Sequence, residues 1–395
     1  METHSLQIDL IRRIHDTSWR AVVAVTGGGG RAIGDLLAVP GASRTVLEAI
    51  VPYSSAALID FLDGTPEQFC ASRTARLLAM TAYRRAVKLR LRQQQLGDRQ
   101  SGNGDATWPV VGIGCTASLA SDRPKLGPHR VHLAAQTATS TRSWSLELQK
   151  GVRSRDQEES LVATLLLDLL ADVAELGDRP IPPTLTGETV VRRRTDAPQA
   201  WCDLLAGECA RTDERPHYES THEPPRAVMP GAFNPLHDGH RRMAALAADR
   251  LGVPVDFELS IENVEKPPLD FEEMEARADQ FRPGVRLWFT RAPRMKQKAA
   301  LFPGATIVCG IDTILRVADP QFASGSEAER DRDLAEIAGH GCRFLVFGRQ
   351  TPRGFETLDS ITIPDSLRRL CTGVPEEHFR ADVSSTDVRR MLNDN

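Results

Sequence analysis

No apolar run in this sequence approaches the roughly 18 residues that a membrane-spanning helix needs. The first stretch, METHSLQIDLIRRIHD, carries charges throughout and lacks the apolar core of a secretory signal. The seven cysteines (Cys70, Cys115, Cys202, Cys209, Cys309, Cys342 and Cys371) form no CxxC and no paired spacing. That argues against a zinc site and against a disulfide framework. Cys309, inside TIVCGI, reads as a small core residue. Neither sign of charge dominates, because 49 Lys and Arg against 53 Asp and Glu leave a net charge of −4. Such a balance supplies no overall field for nucleic acid or for a membrane surface. Local basic runs exist, YRRAVKLRLR (83–92) and VRRR (191–194), and read as solvated faces, so nucleic acid is disfavoured as a partner. The expected location is the cytoplasm. No internal repeat is visible.

What is present suits a globular chain of two or three domains: 395 residues, 41% hydrophobic and 26% charged. Residues 5–16 predict a helix with Leu6, Ile8, Ile11 and Ile14 as its apolar set. AVVAV (21–25) predicts a strand, and TGGGGRAIGDLLAV a glycine turn into a helix. A helical stretch over 66–95, the apolar runs WPVVGIGC and HRVHLAAQTAT, and a helix over 156–176 complete an α/β domain spanning 1–177. Residues 178–225 are proline-rich and charged around a short helical stretch, WCDLLAGECA, and are expected to form a linker or interdomain segment. From 226 to 395 strands and helices alternate again. RAVMPGAF, VDFELSI, RLWFT, ATIVCGI and CRFLVFGR are separated by helices over 239–251, 270–281, 294–301, 312–318 and 328–339, and a last helix follows VSST. This pattern predicts an α/β, Rossmann-like, doubly wound parallel sheet, in which a ligand sits beyond the carboxyl ends of the strands.

The loop after the first of those strands is GAFNPLHDGH. Gly231 and Gly239 let backbone approach a ligand, and Pro235 stiffens the turn. The helix beginning near Asp238 offers unpaired N–H groups and a positive dipole end. His237 and His240, bracketing Gly239, can donate hydrogen bonds to phosphate oxygens and to the charge of a phosphoryl-transfer transition state. At the far end, ADVSSTDVRRML places Ser384, Ser385 and Thr386 at a helix start with Arg389 in the first turn. The hydroxyls are either caps or a second phosphate cradle completed by the guanidinium fork.

GAFNPLHDGH resembles the (H/T)xGH motif of the nucleotidyltransferase superfamily. VSSTDVR resembles the ISSTxxR motif of its nicotinate/nicotinamide mononucleotide adenylyltransferase branch. The two lie about 145 residues apart at the ends of one domain. The resemblance implies that a substrate phosphate attacks the α-phosphate of a nucleoside triphosphate such as ATP, with Mg²⁺, releasing pyrophosphate. It implies that His237, His240 and Arg389 stabilise the transition state, and that Ser384, Ser385 and Thr386 hold the β- and γ-phosphates. Gly231, Phe233, Asn234 and Gly239 then belong to the nucleotide loop. CGIDTILRV resembles the family's G-x-D segment, bringing Gly310 and Asp312 to the nucleotide, although Asp312 is equally a helix cap. FLVFGR resembles the strand ending in an arginine near the nucleotide, here Arg349. Asn263, Lys266 and Lys298 are candidate contacts for the phosphate-bearing acceptor. The chain departs from the usual bacterial enzyme at Asn234, where aspartate is common, and in lacking its proline-histidine-lysine segment. In this it is similar to a divergent group fused to another domain.

In the first domain, TGGGGRAI formally fits G-x-G-x-x-A through Gly27, Gly29 and Ala32, but no acidic residue ends a second strand at the expected distance. VTGGGGRAIGDLLAVPGASRTVLEAIVPYS instead resembles the C-terminal domain of CinA, the nicotinamide mononucleotide deamidase family. Thr26, Gly27 and Gly28 match its turn, Val39 to Ser43 its VPGAS, and Tyr53 with Ser54 its tyrosine-serine pair. The resemblance extends over about residues 5–176 and makes a homo-oligomer through this domain an expectation. Ala24 stands where the family has its serine and Leu58 where it has its lysine, and neither supplies an oxygen or a base for hydrolysis. Ser43 is a spare hydroxyl or the cap of a helix over SRTVLEAIV. The leading expectation is an adenylyltransferase acting on nicotinate or nicotinamide mononucleotide. The alternatives are a bifunctional deamidase/adenylyltransferase and a nucleotide-binding sensor without turnover.

Overall fold

The structure is a computed structural model describing residues 2–100, 108–123, 125–179, 182–215, 223–263, 266–322, 325–351 and 354–380. The chain is a mixed α/β protein with two compact units. The first holds the described residues up to Ala197 and takes in Lys266–Glu272; the second holds the rest.

The first unit is built on a six-stranded sheet of β1 (Arg20–Thr26), β2 (Val46–Ile50), β3 (Val110–Ser118), β4 (His129–Gln136), β5 (Ser140–Leu148) and β6 (Val191–Asp196). Their order is β2-β1-β3-β4-β5-β6, with β1 parallel to β2 and β3 and every later pair antiparallel. One face packs against α1 (Glu2–His15), α2 (Gly30–Ala38) and α5 (Arg155–Val173), burying Ile11, Ile14, Leu36 and Leu166 with Val23, Val25, Val111 and Ile113. Ser154 starts α5 with a reciprocal cap: its hydroxyl accepts from the Gln157 N–H, and its own N–H donates to Gln157 Oε1. A short helix, α3 (Ser55–Leu62), precedes α4 (Ser72–Gln100), which covers the other face with Ala75 and Ala79 against Ala134.

The run SRTVLEAIV is not a helix, because Val46–Ile50 pairs in parallel with β1, where branched side chains fit a pleated strand. Residues 178–225, expected as a linker or interdomain segment, supply β6 to the first sheet. They also supply α6 (Gln199–Ala206) and β7 (Arg211–Thr212) to the second unit.

Lys266–Glu272, which the sequence places in the second domain, belongs to the first unit through buried polar contacts. Arg76 on α4 donates to Asp270 (3.1 Å) and Glu272 (2.9 Å). The Ser143 hydroxyl donates to Glu272 (2.6 Å), and the Phe271 N–H to the Thr141 hydroxyl (3.0 Å).

The second unit holds β8 (Ala227–Pro230), α7 (Asp238–Leu251), β9 (Asp256–Ser260), α8 (Phe271–Ala278, from Glu273 on), β10 (Leu287–Thr290), α9 (Met295–Leu301) and β11 (Thr306–Gly310). They are followed by α10 (Ile311–Ala318), α11 (Glu327–Gly339), β12 (Arg343–Phe347), the hairpin β13 (Arg349–Thr351) and β14 (Gly354–Glu356), α12 (Asp365–Arg368) and β15 (Cys371–Val374). The sheet runs β15-β12-β11-β8-β9-β10-β7, parallel except for β7 at its edge. Counted within the parallel set, that order is 6-5-4-1-2-3. The winding therefore reverses between β8 and β11, and in sheets of this kind the carboxyl ends of the two strands at such a reversal are where a ligand binds. Phe302, Ile307, Phe344 and Leu367 lie in the core on one side.

Candidate functional site

The loop from β8 to α7 lies at that reversal, and α7 packs on β8 and β11. Its conformation is imposed by Phe233, which is fully buried with φ of 45°. The ring packs edge-on against Phe257, Phe281 and His240, with centroids 5.3–5.4 Å away. Gly231 has to be glycine because a Cβ there would come within 2.6 Å of the Phe233 ring. Two residues that belong to no motif fix the loop from outside. Arg277 and Gln280 donate to the Phe233 carbonyl at 2.9 and 3.1 Å, and Gln280 Oε1 accepts from the Leu236 N–H at 2.7 Å. Their only sequence signal is a polar pair three apart at the end of an amphipathic helix. The Asn234–Pro235 peptide is cis, and Gly239 is buried in the first turn of α7.

His237 caps α7 with its carbonyl, which accepts from the N–H of His240 at 3.0 Å. Its own N–H donates to His240 Nδ1 at 3.3 Å. As an acceptor, that nitrogen carries no proton in the neutral ring, so the His240 donor is Nε2–H. The two imidazoles stack with centroids 3.8 Å apart. His237 Nδ1 is buried without a hydrogen-bond partner among the described residues, an orphan that calls for a ligand or water. Burial lowers both pKa values, to about 4 for His240, where the neighbouring His237 and Arg241 add to the effect. For His237, Asp238 opposes the shift.

The adjacent strand β11 ends at Gly310, the N-cap of α10, where a side chain would meet nothing within 4 Å. Asp312, in the first turn, forms an ion pair with Arg349 just past β12, and both are exposed. Two residues singled out separately from the sequence are thus partners. The loop of His237 and His240 and the Gly310–Asp312–Arg349 group follow neighbouring strands.

Other sequence candidates fall elsewhere. Lys298 does not reach outward as expected: it is buried, with Nζ 2.7 Å from both carboxylate oxygens of Glu258, which also accepts from the Thr290 hydroxyl. A buried ammonium needs such a partner, so Lys298 belongs to the scaffold. Asn263 is exposed beyond β9, and Lys266 is exposed in the segment grouped with the first unit. Ser384, Ser385, Thr386 and Arg389 lie outside the described residues. No group of three or more His, Cys, Asp and Glu forms a metal cage among the described residues.

In the first unit, Thr26, Gly27, Tyr53, Ser54, Leu58, Cys70 and Thr116 line a cleft of about 130 Å³. Gly27 has φ of 73°, and a Cβ there would lie 2.0 Å from the Ala117 carbonyl oxygen, so packing accounts for this glycine. The N-terminus of α2 is not free for a pyrophosphate: the Arg31 N–H donates to Glu159 (3.1 Å). This removes the physical basis of the G-x-G-x-x-A match. Leu58 puts methyl groups where the resemblance would place a lysine, and Ala24 is buried in β1. Cys70, which also lines the cleft, keeps its thiol protonated because burial raises its pKa.

Comparison with protein-family models and with curated proteins gives no match. Solved structures are similar over part of the chain. Competence/damage inducible protein CihA from Agrobacterium tumefaciens is 22% identical with a TM-score of 0.29, over 42% of this chain and 94% of that one. A competence or damage-inducible protein from Enterobacter asburiae is 16% identical with a TM-score of 0.31, over 44% and 96%. A competence-damaged protein (CinA) superfamily protein from Escherichia coli is 15% identical with a TM-score of 0.28, over 43% and 87%.

Proposed function

We propose that the second unit is a nucleotidyltransferase that moves a nucleoside monophosphate, AMP from ATP, onto a phosphate-bearing acceptor, nicotinate or nicotinamide mononucleotide. The observation that carries this reading is the stacked His237–His240 pair at the start of α7, at the point where the sheet's winding reverses. An acceptor phosphate oxygen attacks the α-phosphorus, the bond to the β-phosphate oxygen breaks, and pyrophosphate leaves. His240 Nε2–H and His237 donate to the oxygens that gain charge, while the α7 N-terminus favours the anion. Gly310 leaves room for the nucleotide, and Asp312 and Arg349 exchange their mutual contact for it. Ser384, Ser385, Thr386 and Arg389 hold the leaving phosphates. Mg²⁺ neutralises phosphate oxygens when bound, and an ion carried by the triphosphate needs no protein cage.

The first unit, in this proposal, binds a mononucleotide without hydrolysing it and supports a homo-oligomer. Leu58 in the cleft and the alanine at position 24 favour binding over deamidation. The test is pyrophosphate release by the full chain with Mg²⁺, crossing ATP and CTP with the two pyridine mononucleotides, phosphopantetheine and simple phosphoalcohols. ATP with one pyridine mononucleotide is the expected active pair. Binding of ATP without release from any pair favours the sensor reading, and ammonia release from nicotinamide mononucleotide favours a bifunctional enzyme.

A further inference from the structure

Helix α4 covers the first sheet with one face and carries an unusual charge on the other. From Gln68 to Gly97 the sequence has seven cations and no acid. The structure divides these cations. Arg73 pairs with Glu67, Arg76 with Asp270 and Glu272, and Arg85 with Glu48 at 2.7 Å. Arg84, Lys88, Arg90 and Arg92 have no carboxylate partner among the described residues, and Arg84, Lys88 and Arg92 are exposed. Those three stand four residues apart, which sets each about 6 Å from the next along a helix axis. Arg20 extends the row: its guanidinium donates to Gln93 Oε1 at 3.3 Å and stacks 4.1 Å above the Trp108 ring.

The geometry points to this row as a seat for the phosphate backbone of a single nucleic acid strand. A row of evenly spaced cations complements a polymer whose charges recur along its length. The exposed amides of Gln93 and Gln95 add donors beside the row, and Trp108 offers a partly exposed ring. An anionic membrane fits less well. The apolar face of α4, with Ala75, Leu78, Ala79, Ala82 and Ala86, is buried in the protein, and the half-exposed Leu91 is a small anchor for a bilayer. Position in the fold also separates this row from the other basic run: on β6, Arg192 pairs with Asp168, and Arg194 with Asp196.

The test uses the full chain and a 20-nucleotide oligothymidylate labelled with fluorescein, followed by anisotropy between 50 and 200 mM KCl. Binding is expected to weaken with salt with a log–log slope of about −2 to −3, as for three or four neutralised phosphates on a single strand. The combined variant Arg84→Gln/Lys88→Gln/Arg92→Gln is expected to bind at least about tenfold more weakly at an unchanged melting temperature, since the side chains are exposed. Arg84→Lys/Arg92→Lys, which keeps the charge, should bind like the parent chain. No binding at 50 mM KCl, equal binding by the neutralised variant, or binding to 3:1 phosphatidylcholine–phosphatidylserine vesicles without binding to the oligonucleotide would each overturn the proposal.

Discussion

The imidazole rings of His237 and His240 stack 3.8 Å apart, so a proton on one disfavours a proton on the other. With folded pKa values below the ordinary 6.5, to about 4 for His240, both rings are neutral at pH 7. Between pH 6.5 and about 4 the unfolded chain binds more protons than the folded one, so stability falls on acidification across that window. His132 in the first unit, also lowered to about 4 by burial, acts in the same direction. Thermal unfolding from pH 7.5 to 4.5 should show this loss, and a protein bearing His240→Gln and His132→Gln should lose less. A polyanion bound at the rings stabilises their charged forms, so ATP binding should take up protons near pH 6. Calorimetry in buffers of different ionisation enthalpy measures that uptake, and its absence would place the phosphates elsewhere.

Gly231 and Gly310 should respond oppositely to the same change. Gly231→Ala drives a methyl into the Phe233 ring and is expected to cost about 1–3 kcal/mol and to distort the loop. Gly310→Ala meets open space and should leave stability within about 0.5 kcal/mol while weakening ATP binding. Denaturant melts with ATP titrations separate the two, and a harmless Gly231→Ala would contradict the packing described.

Lys298 and Glu258 form a buried pair, so removing one partner strands the other. Lys298→Ala is expected to cost about 3–5 kcal/mol. Lys298→Met/Glu258→Leu should recover much of that loss. If Lys298 instead contacted substrate, the single variant would raise KM at unchanged stability.

Arg76 is matched by two carboxylates from a segment nearly two hundred residues later. Arg76→Ala should therefore destabilise the first unit by roughly 3 kcal/mol, leaving Asp270 and Glu272 short of a donor. A fragment ending at Ala197 should be less stable than the same unit within the whole chain. Hydrogen exchange on β3 and β5 in fragment and full chain reads this directly, and equal protection would remove the segment from the unit's stability.

Much of the second unit was legible because β8 to β12 lie in short apolar runs and the helices between them have a clear period, as in ATIVCGI followed by IDTILRVA; β7, β13, β14 and β15 are too short to show one. The His237–His240 loop was legible because two histidines bracket a glycine at a strand-to-helix turn and resemble the (H/T)xGH motif. Strand order was not legible, since nothing local tells β11 to lie beside β8. The fate of Lys298 was hidden for the same reason: its partner Glu258 lies 40 residues away. Strand β6 is not legible in the sequence because VRRRTD has no apolar alternation. It is an edge strand whose arginines are held by Asp168 and Asp196 and by the Trp144 ring. Arg277 and Gln280 were invisible because they act through a backbone carbonyl.

The most direct measurement is pyrophosphate release from ATP and a pyridine mononucleotide by the full chain and by His237→Ala. Nucleotidyl transfer at the stacked pair requires turnover in the parent and a loss of roughly a hundredfold or more in kcat in the variant, with ATP affinity changed much less. Turnover that survives His237→Ala undiminished would contradict it.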